Sequence, residues 1–278
     1  MKIAYFPNQC ALNSIPVMQA ILNSLRKAGH TPVQDSLECD AAIIWSALWY
    51  GRMAPNKAVY EQYRAQGKPV IIVDVGALYR GETWKIAVNH INRLGYYGHT
   101  ENLDMDRPRK LGVSLAINFS RNPAILIAAQ HRHSLQLATQ NHEAWIIEQI
   151  EAIRQVSDRP IVVRPHPRSP LQMDSLNKTI TIEKPKKVAD TYDCFDMHFD
   201  YHAVVNYCSG TGIQAAISGT RPIVGTYSLA APVSVAITDL DKPYDQDRDQ
   251  WLVEICHTEY TIREIEQGLW LQRISSAL

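Results

Sequence analysis

The sequence predicts an α/β fold of two similar halves, each a parallel sheet covered by helices. Three observations carry that expectation. Short apolar runs alternate with longer amphipathic stretches along the chain. A polar, turn-rich passage at residues 101–110 interrupts the alternation, which then starts afresh. The length, 278 residues, suits one or two domains of roughly 100–200 residues each.

In the first half, residues 3–6 form an apolar run that reads as a buried strand. Residues 16–28 follow with Val17, Ala20, Ile21, Leu25 and Ala28 near helical spacing, and Gly29 fits the C-terminal cap. Residues 41–45 read as a strand, residues 56–66 as a polar helix ending at Gly67, and residues 69–74 as the clearest strand of this half. Residues 95–121 break the pattern. The linker is placed there, which gives domains of residues 1–118 and 119–278. In the second half, strands are expected at 124–129, 160–164, 179–182, 203–206 and 222–224. A long helix carries Trp145, Ile146, Ile150 and Ile153 on one face. A short helix is expected at 213–218, and closing helices at 250–255 and 262–271.

Composition excludes several classes. Hydrophobic residues are 46% and charged residues 20%, enough core to argue against disorder. Lys+Arg and Asp+Glu are 28 each, so no global field draws in nucleic acid or an anionic membrane. Five cysteines (Cys10, Cys39, Cys194, Cys208, Cys256), an odd number without C-x-x-C spacing, argue against a disulfide framework or structural zinc. No leader and no membrane-spanning run is read, and a cytoplasmic location is expected.

The segment at 204–216, Val-Val-Asn-Tyr-Cys-Ser-Gly-Thr-Gly-Ile-Gln-Ala-Ala, reads as strand, small-residue turn and helix. Gly210 and Gly212 are expected to take positive φ and admit a ligand to the backbone, with Ser209 and Thr211 supplying hydroxyls. The bare N–H groups of a helix start suit phosphate. Ordinary capping by Ser209 or Thr211 is the competing reading. Neither a Walker A lysine nor a dinucleotide fingerprint after the first strand is present. A second segment, Arg164-Pro-His-Pro-Arg168, directly follows a strand; its prolines stiffen the turn around His166, and Arg164 and Arg168 can fork onto phosphate oxygens.

A strand ending in Arg-Pro-His-Pro, followed tens of residues later by Ser-Gly-Thr-Gly-x-x-Ala-x-x-x-Gly-x-x-Pro, resembles the donor half of GT-B glycosyltransferases, in particular capsule-type transferases with an HP motif. Over nearly its full length the chain is also similar to glycosyltransferase-like proteins of bacteriophages. The strings at 45–57 (Trp-Ser-Ala-Leu-Trp-Tyr-Gly-Arg-Met-Ala-Pro-Asn-Lys), 74–85 (Asp-Val-Gly-Ala-Leu-Tyr-Arg-Gly-Glu-Thr-Trp-Lys) and 164–168 carry that likeness. The resemblance implies a GT-B-like α/β fold, two Rossmann-like domains with parallel sheets facing a cleft. It implies that Ser209, Gly210, Thr211 and Gly212 meet a donor diphosphate, with Arg164 and His166 beside it. Arg132 or Ser134, in the loop after the second half's first strand, is expected to assist; a solvated loop is the alternative.

The first half would then receive the acceptor. Asp74, at a strand end with Gly76 and Gly81 allowing a tight loop, is the first candidate for the base that takes the acceptor proton, and Glu82 the second. A plain turn or capping role competes for Asp74. Arg52, Lys57, Arg80 and Lys85, near Trp45, Trp49 and Trp84, would suit a nucleic-acid strand or be ordinary surface cations beside core tryptophans. Asp196, His198, Asp200 and His202 alternate in a ligand-like pattern, read here as polar surface without a metal.

The activity so implied is sugar transfer from a nucleotide-diphosphate sugar, UDP favoured, to a hydroxyl. In a phage context the acceptor is a hydroxymethylated or otherwise modified pyrimidine in DNA, and the location the host cytoplasm. The alternatives are a nucleotide-sugar epimerase, a polyol-phosphate or capsule-type transferase, and a non-catalytic nucleotide-sugar-binding module. No cofactor, divalent metal or membrane partner is expected.

Overall fold

The structure is a computed structural model and describes residues 1–117, 121–137, 141–171, 180–184 and 199–278. Its strands are β1 (Lys2–Tyr5), β2 (Thr31–Gln34), β3 (Ala41–Trp45), β4 (Val70–Val75), β5 (Thr83–Val88), β6 (Ile125–Ala128), β7 (Ile161–Arg164), β8 (Ile180–Ile182), β9 (Ala203–Asn206), β10 (Arg221–Val224) and β11 (Glu259–Thr261). Its helices are α1 (Ile15–Lys27), α2 (Asn56–Ala65), α3 (Arg107–Leu111), α4 (His142–Arg154), α5 (Gly210–Ile217), α6 (Asp249–Cys256), α7 (Ile262–Gln267) and α8 (Leu269–Ile274). They divide into two compact units: Met1–Asp104 with Glu254–Leu278, and Met105–Val253.

The first unit carries a six-stranded sheet in the order β11-β5-β4-β3-β1-β2. Strands β2, β1, β3 and β4 run parallel, joined by crossovers, whereas β5 runs antiparallel to β4 and β11 antiparallel to β5. The parallel sheet expected from the sequence therefore acquires an antiparallel edge, because β4 and β5 are joined by a hairpin too short for a crossover. Pro32 sits in β2, at the sheet edge, where a missing N–H leaves no gap in a ladder. Helix α1 stops at Gly29, whose φ of 80° turns the chain out of the helix while its N–H reaches Arg26 O. The apolar stripe Val17, Ile21 and Leu25 meets Ile3, Ile43 and Ile71 in one core.

The closing residues correct the expected grouping. They pack with the first unit and not with the half that precedes them in sequence. β11 covers the open edge of β5, α7 lies along α1, and Ile265, Trp270 and Ile274 enter the first unit's core. Trp270 is fully buried and its Nε1 donates to Ser24 Oγ of α1 at 3.1 Å. The single helix expected at 262–271 is two, broken at Gly268, where φ is 81°. The boundary drawn between residues 118 and 119 lies outside the described residues.

The second unit is a five-stranded, wholly parallel sheet in the order β10-β9-β6-β7-β8. Alternate residues face opposite layers. Ile125, Ile127, Ile161, Val163 and Val205 pack with Trp145, Ile146, Ile150 and Ile153 of α4. Leu126, Ala128 and Val204 pack on the other face with Ala215 of α5, Phe199 and Tyr201. Burial on both faces explains why these strands read as continuous apolar runs.

Replacing Trp270 with alanine is expected to destabilise the first unit by about 3–5 kcal/mol. Hydrogen exchange should accelerate in β4, β5 and β11 while β6 and β9 stay protected; uniform loss of protection in both units would contradict the assignment of the C-terminal helices.

Candidate functional site

In open α/β sheets the ligand crevice lies beyond the carboxyl ends of the strands where the order reverses. In the second unit that point is between the neighbours β6 and β9. The chain leaves β6 towards β7 on one side, and β9 with β10 lies on the other.

Asn206, the last residue of β9 and 1% exposed, fixes this point. Its Nδ2 donates to Ala128 O at the end of β6 (2.8 Å), and its Oδ1 accepts from Ser209 N (2.8 Å). Buried Gln130 makes a second tie, accepting from Cys208 N at 3.2 Å and donating to Ser134 Oγ and Gln136 Oε1. Helix α5 begins at Gly210, three residues before its expected start. Ser209 is its N-cap and accepts from Thr211 N at 3.4 Å; Ser209 Oγ also donates to Thr211 Oγ1 at 3.1 Å. The capping role weighed from the sequence is therefore present. Gly210 and Gly212 belong to the helix and do not take positive φ, contrary to expectation. Gly212 is small for another reason: a Cβ there would lie 2.8 Å from Val224 Cγ1 of β10.

The loops after β6 and β7 bring two histidines together. The His131 and His166 rings meet edge to face with centroids 5.0 Å apart. His131 Nδ1 accepts from His133 N, and His166 Nδ1 from Arg168 N, each at 3.2 Å. Burial, then the positive charge of Arg168 and neighbouring groups, holds the His131 pKa down at about 4. Two of the three arginines expected at the phosphate, Arg132 and Arg164, are otherwise engaged. Arg132 pairs with Glu143 of α4 (2.8 Å) and also donates to Ser169 Oγ and Pro170 O. Arg164 pairs with Glu183 (2.9 Å) and donates to Tyr201 Oη (3.0 Å). Both arginines thus brace loops. Ser134 caps the turn that follows it, accepting from Gln136 N.

Asn206, Gln130 and His142 escaped the sequence reading. His142, first residue of α4, is 4% exposed and its pKa is lowered chiefly by burial; neither ring nitrogen has a hydrogen-bond partner among the described residues. Asn206 and Gln130 had one available signal, a buried amide at or just past a strand end.

In the first unit, Asp74 lies in β4 with Oδ2 accepting from Ser46 Oγ (3.1 Å) and Oδ1 from Val75 N (2.8 Å). Burial raises its pKa, opposed by the Val75 N–H, by Lys85 and by Ser46. Lys85 is its register partner on β5 and is buried, so it does not join an exposed basic surface. Trp45 and Trp84 are core residues, while Arg52, Lys57 and Arg80 are exposed. Glu82 is exposed in the β4–β5 turn. Gly76 permits contact with fully buried Glu259, whose carboxylate accepts from Ala77 N, Leu78 N and Thr83 Oγ1. Cys10, Cys39, Cys208 and Cys256 are buried and belong to no disulfide; Cys194, Asp196 and His198 lie outside the described residues. Among the described residues no cluster of three or more metal-ligating side chains occurs, and no helix is long and apolar enough to cross a membrane.

No protein-family profile matches the sequence. No curated protein matches it either. Among solved structures the chain is similar to the KpsC β-Kdo 2,4 transferase of Thermosulfurimonas dismutans, at 10% identity and a TM-score of 0.53, over 97% of this chain and 98% of that one. The KpsC β-Kdo 2,7 transferase of the same organism matches at 11% identity and a TM-score of 0.51, over 98% and 99%. The UDP-GlcNAc 2-epimerase of Methanocaldococcus jannaschii, solved with UDP-GlcNAc and UDP, is more remote, at 11% identity and a TM-score of 0.30 over 81% and 83%. The fold is that of two Rossmann-like units, as in GT-B glycosyltransferases.

The low pKa of His131 makes stability pH-dependent. Unfolded histidine titrates near 6.5, so between about 6.5 and 4 the unfolded chain binds a proton that the fold refuses. The His131 contribution is complete above about 6.5 and is lost progressively as pH falls towards 4. Denaturant midpoints should drop from pH 7 to pH 5, and His131→Asn should flatten that slope; an unchanged slope would contradict the assignment.

Proposed function

We propose that this chain is a glycosyltransferase whose donor is a nucleotide-activated sugar held by the second unit. The observation that carries the reading is the β9–α5 turn. Asn206 pins it at the switch point of a parallel sheet, and it presents the positive end of α5 together with the partly exposed Ser209 and Thr211 hydroxyls. Ser209 holds Thr211 N at its Oγ (3.4 Å) and Gly212 N at its carbonyl (3.2 Å), contacts long enough for a charged phosphate oxygen to displace. A leaving phosphate gains charge as the glycosidic bond breaks, and a fixed array of N–H groups stabilises that charge without reorganising. His166 and its neighbour His131 supply further polar atoms beyond the adjacent strands.

In this reading the donor carries a diphosphate, UDP being favoured, and the acceptor is a hydroxyl. Asp74 takes the acceptor proton. Its raised pKa suits a base that must accept a proton near neutral pH, and Ser46 and the Val75 N–H orient the carboxylate. Glu82 is the second candidate. A hydroxymethylated pyrimidine in DNA is one acceptor of the required chemistry, and Arg52, Lys57 and Arg80 are exposed cations of the same unit.

The test is incubation of the purified chain with a broad panel of UDP-activated sugars, with and without hydroxymethylated DNA, reading nucleotide release and sugar transfer. His166→Ala and Thr211→Val should each weaken UDP binding by about 1.5–3 kcal/mol, the worth of a hydrogen bond to a charged group. Asp74→Asn should bind UDP normally and lose about 10²–10⁴-fold in transfer rate. Unchanged affinity in both donor-site variants would refute the placement, and UDP binding without turnover would leave only a binding module.

A further inference from the structure

A polar pocket lies in the second unit, at the end of its sheet opposite the β9–α5 turn. It has a volume of about 150 Å³ and is lined by Tyr201 and His202 ahead of β9, Gly219 after α5, Arg221 at the start of β10, and Tyr244, Arg248 and Ile117. Ala203, Val204 and Val205 of β9, at roughly 3.3 Å per residue, separate His202 of this pocket from Asn206.

Among the described residues, the hydrogen bonds of its two arginines all go to backbone carbonyl groups. Arg221 donates through Nε and Nη2 to Lys242 O and through Nη1 to His202 O. Arg248 donates through Nη1 to Ala216 O and through Nη2 to Ala116 O, and its guanidinium lies 5.4 Å from the centre of the Tyr244 ring. Neither has a carboxylate within ion-pair distance among the described residues. Asp241, beside His202, is already paired with Arg159 at 2.8 Å. Asp245, Asp247 and Asp249 are exposed, and Asp247 accepts from Asp249 N.

Capping of the α5 C-terminus accounts for part of this arrangement, since that end carries about half a negative charge. It does not balance two full guanidinium charges. Two arginines offer ten N–H donors, and the five bonds described leave the rest available. The volume is several times the ~30 Å³ share of one water, so a tetrahedral oxyanion fits.

We infer that this pocket is an anion site for a dianionic phosphate group, gripped by the guanidiniums of Arg221 and Arg248. Prefixed arginine forks match the geometry of phosphate oxygens, and two positive charges match a terminal phosphate better than a singly charged phosphodiester. The site is separate from the proposed donor turn and does not depend on that reading.

The experiment uses the whole chain and the arginine reagent phenylglyoxal, with modification at each arginine read by mass spectrometry. Inorganic phosphate should slow modification of Arg221 and Arg248 several-fold, relative to sodium chloride at equal ionic strength. Glycerol 3-phosphate should protect as well if the ligand is a phosphomonoester, and less than inorganic phosphate if the site takes the free ion; either result supports the site. Dimethyl phosphate should not protect. Protection should persist in Thr211→Val and His166→Ala, which separates this pocket from the donor turn. Calorimetric phosphate binding should fall at least tenfold in Arg221→Lys and Arg248→Lys, which keep the charge but lose the fork. Rates insensitive to phosphate, or equal protection by dimethyl phosphate, would overturn the proposal.

Discussion

The amide of Asn206 is the constraint on which the second unit's site depends. At the point where strand order reverses, β6 and β9 run side by side and their continuations part, leaving backbone groups at the ends without ladder partners. One side chain serves both: it donates to the last carbonyl of β6 and accepts from the N–H that opens the turn into α5. Gln130 repeats the device from the other strand, through Cys208 N. A buried donor or acceptor left alone costs about 1–3 kcal/mol, so the two amides fix the turn as well as fill it. The direction of the first turn of α5 follows from this framing.

Much of the fold was legible because its strands are buried on both faces. β3 and β9 coincide with the expected segments, and β1, β4, β6, β7 and β10 lie within a residue or two of theirs. Elements that depend on partners distant in sequence were not legible. β2 holds a proline and only four residues; β11 has three. β5 was hidden within a stretch read for its charges and tryptophan, although all six of its residues are buried. Neither edge strand has a periodicity of its own, and each exists because a neighbouring strand offers an open ladder.

The site divides the same way. The strand-end positions of Ser209, His166 and Asp74 followed from the alternating pattern. Which side chains are already committed did not, since a sequence shows an arginine but not the carboxylate it meets. Arg132 and Arg164 turned out to be braces, Lys85 a buried neighbour of Asp74, and Gly212 a packing residue. Ser46 is the converse case. Its φ of 66° is costly for a residue with a side chain, and it points its hydroxyl at Asp74. That pairing of strain and orientation sets the carboxylate more firmly than Asp74's place at a strand end could do.

The return of the last residues to the first unit also has a consequence for biosynthesis. On the ribosome, domains ordinarily fold in the order in which they emerge. Here β6 to β10, with α4 and α5, are all present by residue 253, whereas the earlier-made sheet still lacks β11 and its covering tryptophan. The insert can therefore mature before its host. Until then the nascent amino-terminal layer presents an unpaired strand and a bare apolar helix face, the state in which a chaperone would find it.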